Sequence, residues 1–252
     1  MTLISDPVFY VAAIPAVTFL GISKGGFSGV GLLATPLLAL VLPPLQAAAI
    51  LLPILILQDV ISVYVYRRDW DARNLKVMLP GAVIGISAAW LLAAHVSDAH
   101  VRLAVGVIAL SFVLNHWFGR PSPESKRPLA PKGLFWGSVS GFTSTLCQAG
   151  GPPFQIYVMP QRLDKLTFVG TMAIFFAAVN LFKIVPYFAL GQFSIAGLAT
   201  SLALVPLAVA TNFLGIWLVR ITPTELFYKL SYVLVFVISI ALIHKALSDI
   251  LA

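Results

Sequence analysis

The chain has 252 residues, 60% of them hydrophobic and only 10% charged, with 16 Lys and Arg against 9 Asp and Glu. Soluble domains carry roughly 25% charged residues, so a mean hydropathy of +0.97 marks an integral membrane protein with little mass outside the bilayer. That leaves no room for a nucleotide-binding domain, and no GxxxxGK[ST] stretch is present, so transport driven by the chain's own ATP hydrolysis is not expected. The net charge of +7 reads as membrane orientation rather than nucleic-acid binding, because Lys and Arg gather in short loops beside apolar segments. One cysteine, Cys147, excludes an intrachain disulfide. The N-terminal stretch lacks a basic n-region, so a cleaved signal peptide is not expected.

Val8–Leu20 is apolar but only about 13 residues long, roughly 20 Å as a helix against a hydrocarbon core of about 30 Å. Ser23–Gly31 interrupts it, and Leu32–Leu42 runs on to Pro43-Pro44. Spans follow at Gln46–Tyr66, Val77–Ala94 and Val101–Trp117, with the charged loop Arg67–Lys76 after the first. Gly119–Lys132, rich in Pro, Ser and basic residues, reads as a linker. The pattern then repeats: Gly133–Met159 is apolar and broken at Gly150-Gly151, and spans follow at Thr167–Leu190, Ile195–Val219 and Leu230–Lys245. This is an internal duplication of about 110–120 residues per copy, clear in hydropathy, with Asp59 falling near the position of Asn180.

The two breaks organise the chain. Gly21–Pro36 and Gly141–Pro160 each place a Gly-Gly pair in apolar surroundings, with small hydroxyl residues before it and proline after. Glycine accepts backbone angles that a helix interior forbids, and proline removes a donor. Backbone that leaves the helix at membrane depth is tolerated only against protein or a water-filled cavity. Paired broken helices in corresponding positions of two halves point to a transporter's binding site. If both broken segments are re-entrant hairpins, the basic groups at Arg67–Lys76, Gly119–Lys132, Arg162/Lys165 and Arg220/Lys229 share one side, as the positive-inside rule demands. The expected fold is therefore an all-α polytopic membrane protein of two inverted-topology repeats. Each repeat is a broken hairpin (8–42 and 133–159) plus three transmembrane helices, with the 119–132 linker and its basic neighbours cytoplasmic and both termini outside.

With these motifs the chain resembles the TauE/SafE family of membrane permeases over essentially its whole length. The resemblance implies a multi-pass protein of the plasma membrane, the inner membrane in a bacterium, moving small sulfur oxyanions or organosulfonates such as sulfite, thiosulfate, sulfoacetate or taurine-related compounds. It implies a secondary transporter rather than an enzyme, with no cofactor and no metal. The partners to expect are the small anion and the lipid bilayer, with H+ or Na+ open as coupling ions.

Candidate ligands follow from polarity at membrane depth, where an ionisable residue is a functional hypothesis by default. Ser23, Lys24, Gly25 and Gly26 form the first break, and Lys24 reads either as an anion ligand beside freed N–H groups or as a snorkelling lysine. Thr143, Ser144, Thr145, Cys147 and Gln148 line the approach to the second break at Gly150 and Gly151. Their hydroxyls and amide suit oxyanions, although Ser and Thr also satisfy helix carbonyls in membranes. Asp59 lies eight residues before Arg67, roughly 12 Å inside the hydrocarbon. It reads as a proton-coupling carboxylate or as the ion-pair partner of Lys24 or Lys183. Lys183, three residues after Asn180, reads as a ligand, as Asp59's partner or as an interfacial snorkel. Each Gly-Gly pair is expected to need positive φ or the absence of a Cβ, and Gly106, in a plain span, to tolerate alanine. Rivals to the permease are a passive anion channel and a membrane sulfur-transfer protein acting through Cys147. Against the second, there is no Cys/His/Asp constellation, no H-E-x-x-H and no G-x-S-x-G.

Overall fold

The computed structural model describes residues 6–27, 31, 34–38, 41–42, 44–92, 95, 97–118, 129–189, 191 and 193–251, without the side chains at 35, 36, 44–46, 48, 98 and 147. These residues form ten α-helices: α1 Pro7–Gly25, α2 Ala34–Leu38, α3 Pro44–Val65, α4 Ala72–Leu92, α5 Asp98–Phe118, α6 Ala130–Cys147, α7 Gly151–Val158, α8 Lys165–Ala189, α9 Ile195–Ile221 and α10 Thr224–Leu251. A 3-10 turn, Met159–Gln161, follows α7. The fold is all-α and polytopic. Among the described residues six helices are long and apolar enough to cross a membrane: α1, α4, α8, α9, α10 and, from Ala99, α5. Large apolar side chains such as Val11, Leu91, Leu202 and Trp217 stand exposed, while Gln58, Asp59, Asn180, Lys183 and Asn212 are buried. That inversion of the soluble pattern suits a lipid solvent.

Local signals set the helix ends. Asp6 caps α1 by accepting from Val8 N at 2.9 Å, with Pro7 in the first turn. Ser194 caps α9 through Gly197 N at 3.0 Å. The C-terminus of α9 is closed from outside its own chain segment: Lys165 Nζ donates to the carbonyls of Val219, Arg220 and Thr222, where a cation also suits the helix dipole. Prolines 15, 53, 80, 186 and 206 sit inside helices, as membrane helices allow.

The halves interlock. α1 packs along α9 and α6 packs along α4, so each broken helix lies against the other half. α3 on α9 is matched by α8 on α4, while α3 meets α8 and α5 meets α10. Two glycine seams allow the closest of these approaches. Gly81 and Gly85 of α4 face the Leu134 and Ser138 carbonyls of α6, and Gly137 and Gly141 face those of Met78 and Ala82. On the other side Gly25 lies against Gly215 and Gly21 against Thr211. A Cβ at any of these glycines would collide with backbone or with Thr211. Spacing of four residues puts small groups on one helix face, and in lipid such faces replace the hydrophobic effect as the source of helix association.

The second broken segment turns back on itself. Tyr157 Oη, near the end of α7, donates to the carbonyl of Leu129, just before α6, at 3.3 Å. Gln161 and Asn74 exchange amide hydrogen bonds of 2.9 and 3.0 Å at the same end of the bundle. The 119–128 part of the expected linker, and residues 28–30, 32–33 and 39–40 of the first broken segment, lie outside the described residues.

Candidate functional site

The first break comes later than expected from Ser23–Gly31. Ser23 and Lys24 occupy the last turn of α1, and the helix stops at Gly25 because Gly26 takes a φ of +137°. Its terminal carbonyls do not stay orphaned. Ser62 Oγ donates to Lys24 O at 2.8 Å and Tyr66 Oη to Gly25 O at 2.7 Å, from positions one turn apart near the end of α3. Lys24 Nζ lies 2.5 Å from Asp59 Oδ1 and 5.7 Å from the centre of the Phe176 ring. The second Asp59 oxygen accepts from Asn180 Nδ2 at 2.6 Å. Asp59 is the one carboxylate among the buried described residues, and both its oxygens are used, as a desolvated charge requires.

At the second break α6 ends at Cys147, and the left-handed residue is Gln148, at φ 56°, rather than a glycine. Ser140 Oγ donates to Gly150 O at 2.7 Å and Thr143 Oγ1 to Ala149 O at 3.1 Å, holding the turn from within. α7 starts at Gly151 with Pro152 and Pro153, which bring no N–H, so the amides left at its head are those of Gly150 and Gly151. Lys183 of α8 is fully buried, so it is not an interfacial snorkel. Its Nζ donates to Gln148 Oε1 at 2.9 Å, Ser144 Oγ at 3.1 Å and Ser144 O at 3.4 Å.

One cavity joins the two breaks, enclosing about 730 Å³ with its open mouth included. Its polar walls are Ser23, Lys24, Ser144, Gln148 and Asn180, with the backbones of Gly150 and Gly151. Leu20, Leu51, Leu55, Met172, Ala173 and Phe176 supply the apolar remainder. Of the other candidates, Asp59 and Lys183 stand behind the wall and hold lining residues. Gly25 and Gly26 pack instead on α9 and Val169. Thr145 Oγ1 returns its hydrogen bond to Gly141 O, inside its own helix. Thr143 serves the turn, and the side chain of Cys147 lies outside the described residues. Among the described residues no group of three His, Cys, Asp or Glu side chains comes together to hold a metal.

The geometry repeats across the halves with a nearly constant offset. Lys24 and Ser144 are 120 residues apart, Asp59 and Asn180 are 121, and Ser62 and Lys183 are 121. Ser62 caps Lys24 O as Lys183 caps Ser144 O, and Asp59 meets Asn180 between them. The family model for "Sulfite exporter TauE/SafE" matches residues 13–242. The chain belongs to that family. It is therefore a multi-pass membrane transporter of the sulfite-exporter type. No curated protein and no solved structure matches the chain.

Two capping groups, Ser62 and Tyr66, were not among the residues singled out from the sequence. Gln58, Asp59 and Ser62 form a polar cluster within an otherwise apolar span, and that run was the available signal. The apolar cavity walls carried none, since Leu and Phe in a membrane helix are equally at home facing lipid.

Proposed function

We propose that this protein is a secondary permease for a small anion, a sulfur oxyanion or organosulfonate, bound where its two broken helices meet. The observation that carries this reading is the shared cavity. It draws Ser23 and Lys24 from one break and Ser144, Gln148, Gly150 and Gly151 from the other. Gln148 Nε2 is buried there with no acceptor among the described residues. A buried donor without a partner costs about 1–3 kcal/mol, and an oxyanion supplies the acceptor. Lys24, the two serine hydroxyls and the glycine amides give the same class of ligand further donors.

The repeats are proposed to be inverted about the membrane plane, each with a re-entrant hairpin. The matched packing of α1 on α9 and α6 on α4 supports this, as does the return of α7 to the start of α6. Rocking of one repeat against the other would then expose the cavity to each side in turn.

A thermal-shift screen of the purified protein against sulfite, thiosulfate, sulfate, taurine and sulfoacetate tests the ligand class. Stabilisation by at least one of them is expected, and none would remove the reading. In proteoliposomes, concentrative uptake that collapses with a protonophore separates a permease from a passive channel. Full activity in Cys147→Ala disposes of sulfur transfer through that thiol.

A further inference from the structure

Lys183 has donors only, so whatever oxygen faces it must act as an acceptor. It faces Gln148 Oε1 at 2.9 Å, which fixes the amide: the carbonyl points to the lysine and Nε2 away from it. Nε2 is buried without an acceptor among the described residues, in a residue that lines the cavity. The same reasoning holds for Ser144. Its Oγ accepts from Lys183 at 3.1 Å, which leaves the hydroxyl proton to turn elsewhere. One buried lysine thus orients the Gln148 amide and leaves the Ser144 hydroxyl proton free to donate.

We propose that Lys183 is a specificity-determining positioning residue that fixes the Gln148 amide of this wall as a hydrogen-bond donor. The wall then favours a fully ionised oxyanion or sulfonate head over an isosteric head that carries a proton. This rests on the anion-binding reading above and adds which charge state the site accepts. Sulfate and hydrogen phosphate at a mildly alkaline pH are the discriminating probes, being alike in shape and charge and different by one hydroxyl. Against Gln148 Nε2 hydrogen phosphate must turn its hydroxyl away, because a donor meeting a donor leaves both unpaired.

Isothermal titration of the purified full chain provides the test, with sulfite as the control for oxyanion binding. Wild type is expected to bind sulfate about tenfold or more tighter than hydrogen phosphate. Lys183→Met frees the amide to rotate and should bring the ratio close to one, while Lys183→Arg keeps the donors and the preference. Loss of packing alone would weaken both anions together and leave the ratio unchanged. Gln148→Glu is the second variant, since it keeps an acceptor for Lys183 and places another oxygen on the far side. There the ratio should fall by a similar factor, and if Lys183→Met does not fold this variant decides. Equal affinity for, or equal exclusion of, the two anions by wild type overturns the inference, as does an unchanged ratio in the variants. Absence of sulfite, sulfate and phosphate binding altogether sinks the anion-site reading on which the inference stands.

Discussion

Lys24 and Asp59 are both short of water, with side chains 13% and 4% exposed, and each depends on the other for its charge to be tolerable. Removing one partner of such a pair costs about 3–5 kcal/mol, because the survivor is left charged and dry, whereas an apolar pair of similar size is often neutral. Lys24→Met and Asp59→Leu are therefore each expected to lower the unfolding midpoint in detergent, and the double variant to recover most of the loss. Stability and function should part company at that point. Lys24 also lines the cavity, so the double variant should remain defective in anion binding while folding well. A double variant as unstable as the singles would mean that Asp59 is held mainly by Asn180 and the pair is incidental. The ion pair itself was one of the readings open from the sequence, which gave the depth of Asp59 but not its partner. That choice turns on which helix faces α3, a tertiary fact that spacing along one helix does not encode.

At the scale of elements, the glycines divide into groups that do different work. Gly26 takes a positive φ and is crowded by Val219 and Val169, so alanine there meets both strain and a clash. Gly151 has neither: its backbone is ordinary and a Cβ would meet nothing within 4 Å. The two Gly-Gly pairs are thus not equivalent, because the second turn uses Gln148 for its left-handed residue. Gly151→Ala is expected to fold like wild type and to lower anion affinity only through the methyl it adds to the cavity wall. Gly85→Ala and Gly215→Ala strike the α4–α6 and α1–α9 seams, where overpacking costs about 1–3 kcal/mol or more. Both should be less stable in a detergent melt, and wild-type midpoints for both would show the seams to be slack. Gly106, expected to tolerate alanine as part of a plain span, instead abuts Ile243 and the Ser239 carbonyl of α10. The breaks were legible because Gly-Gly and Pro interrupt a long apolar run. The seams were written as plainly, in glycines four apart at 21/25, 81/85 and 133/137/141, but their meaning depends on which helix lies opposite.

For the molecule as a whole, the arrangement of charge and packing makes a single demand on orientation. α6 begins where α7 ends, at the end of the bundle that also holds Asn74 at the start of α4. Lys165, opening α8, caps the C-terminus of α9 at that same end, and Asp71 N there bonds Thr171 Oγ1 of α8 at 2.8 Å. The basic loops at 67–76, 162–165 and 220–229 therefore belong together, and the positive-inside rule predicts that they face the cytoplasm. Accessibility of single cysteines in a Cys147→Ser background checks this, using the exposed positions Arg162 and Ile195 at opposite ends of helices α8 and α9. Arg162→Cys should react with a membrane-impermeant maleimide only after the cells are opened, and Ile195→Cys should react in intact cells. If the α6–α7 segment crossed the membrane instead of returning, Arg162 would lie on the face opposite the start of α6. Labelling of Arg162→Cys in intact cells, with a cysteine at Leu129 protected, would falsify the hairpin. The two-sided cavity mechanism would go with it, because both breaks reach one cavity only if each segment enters and leaves on its own side.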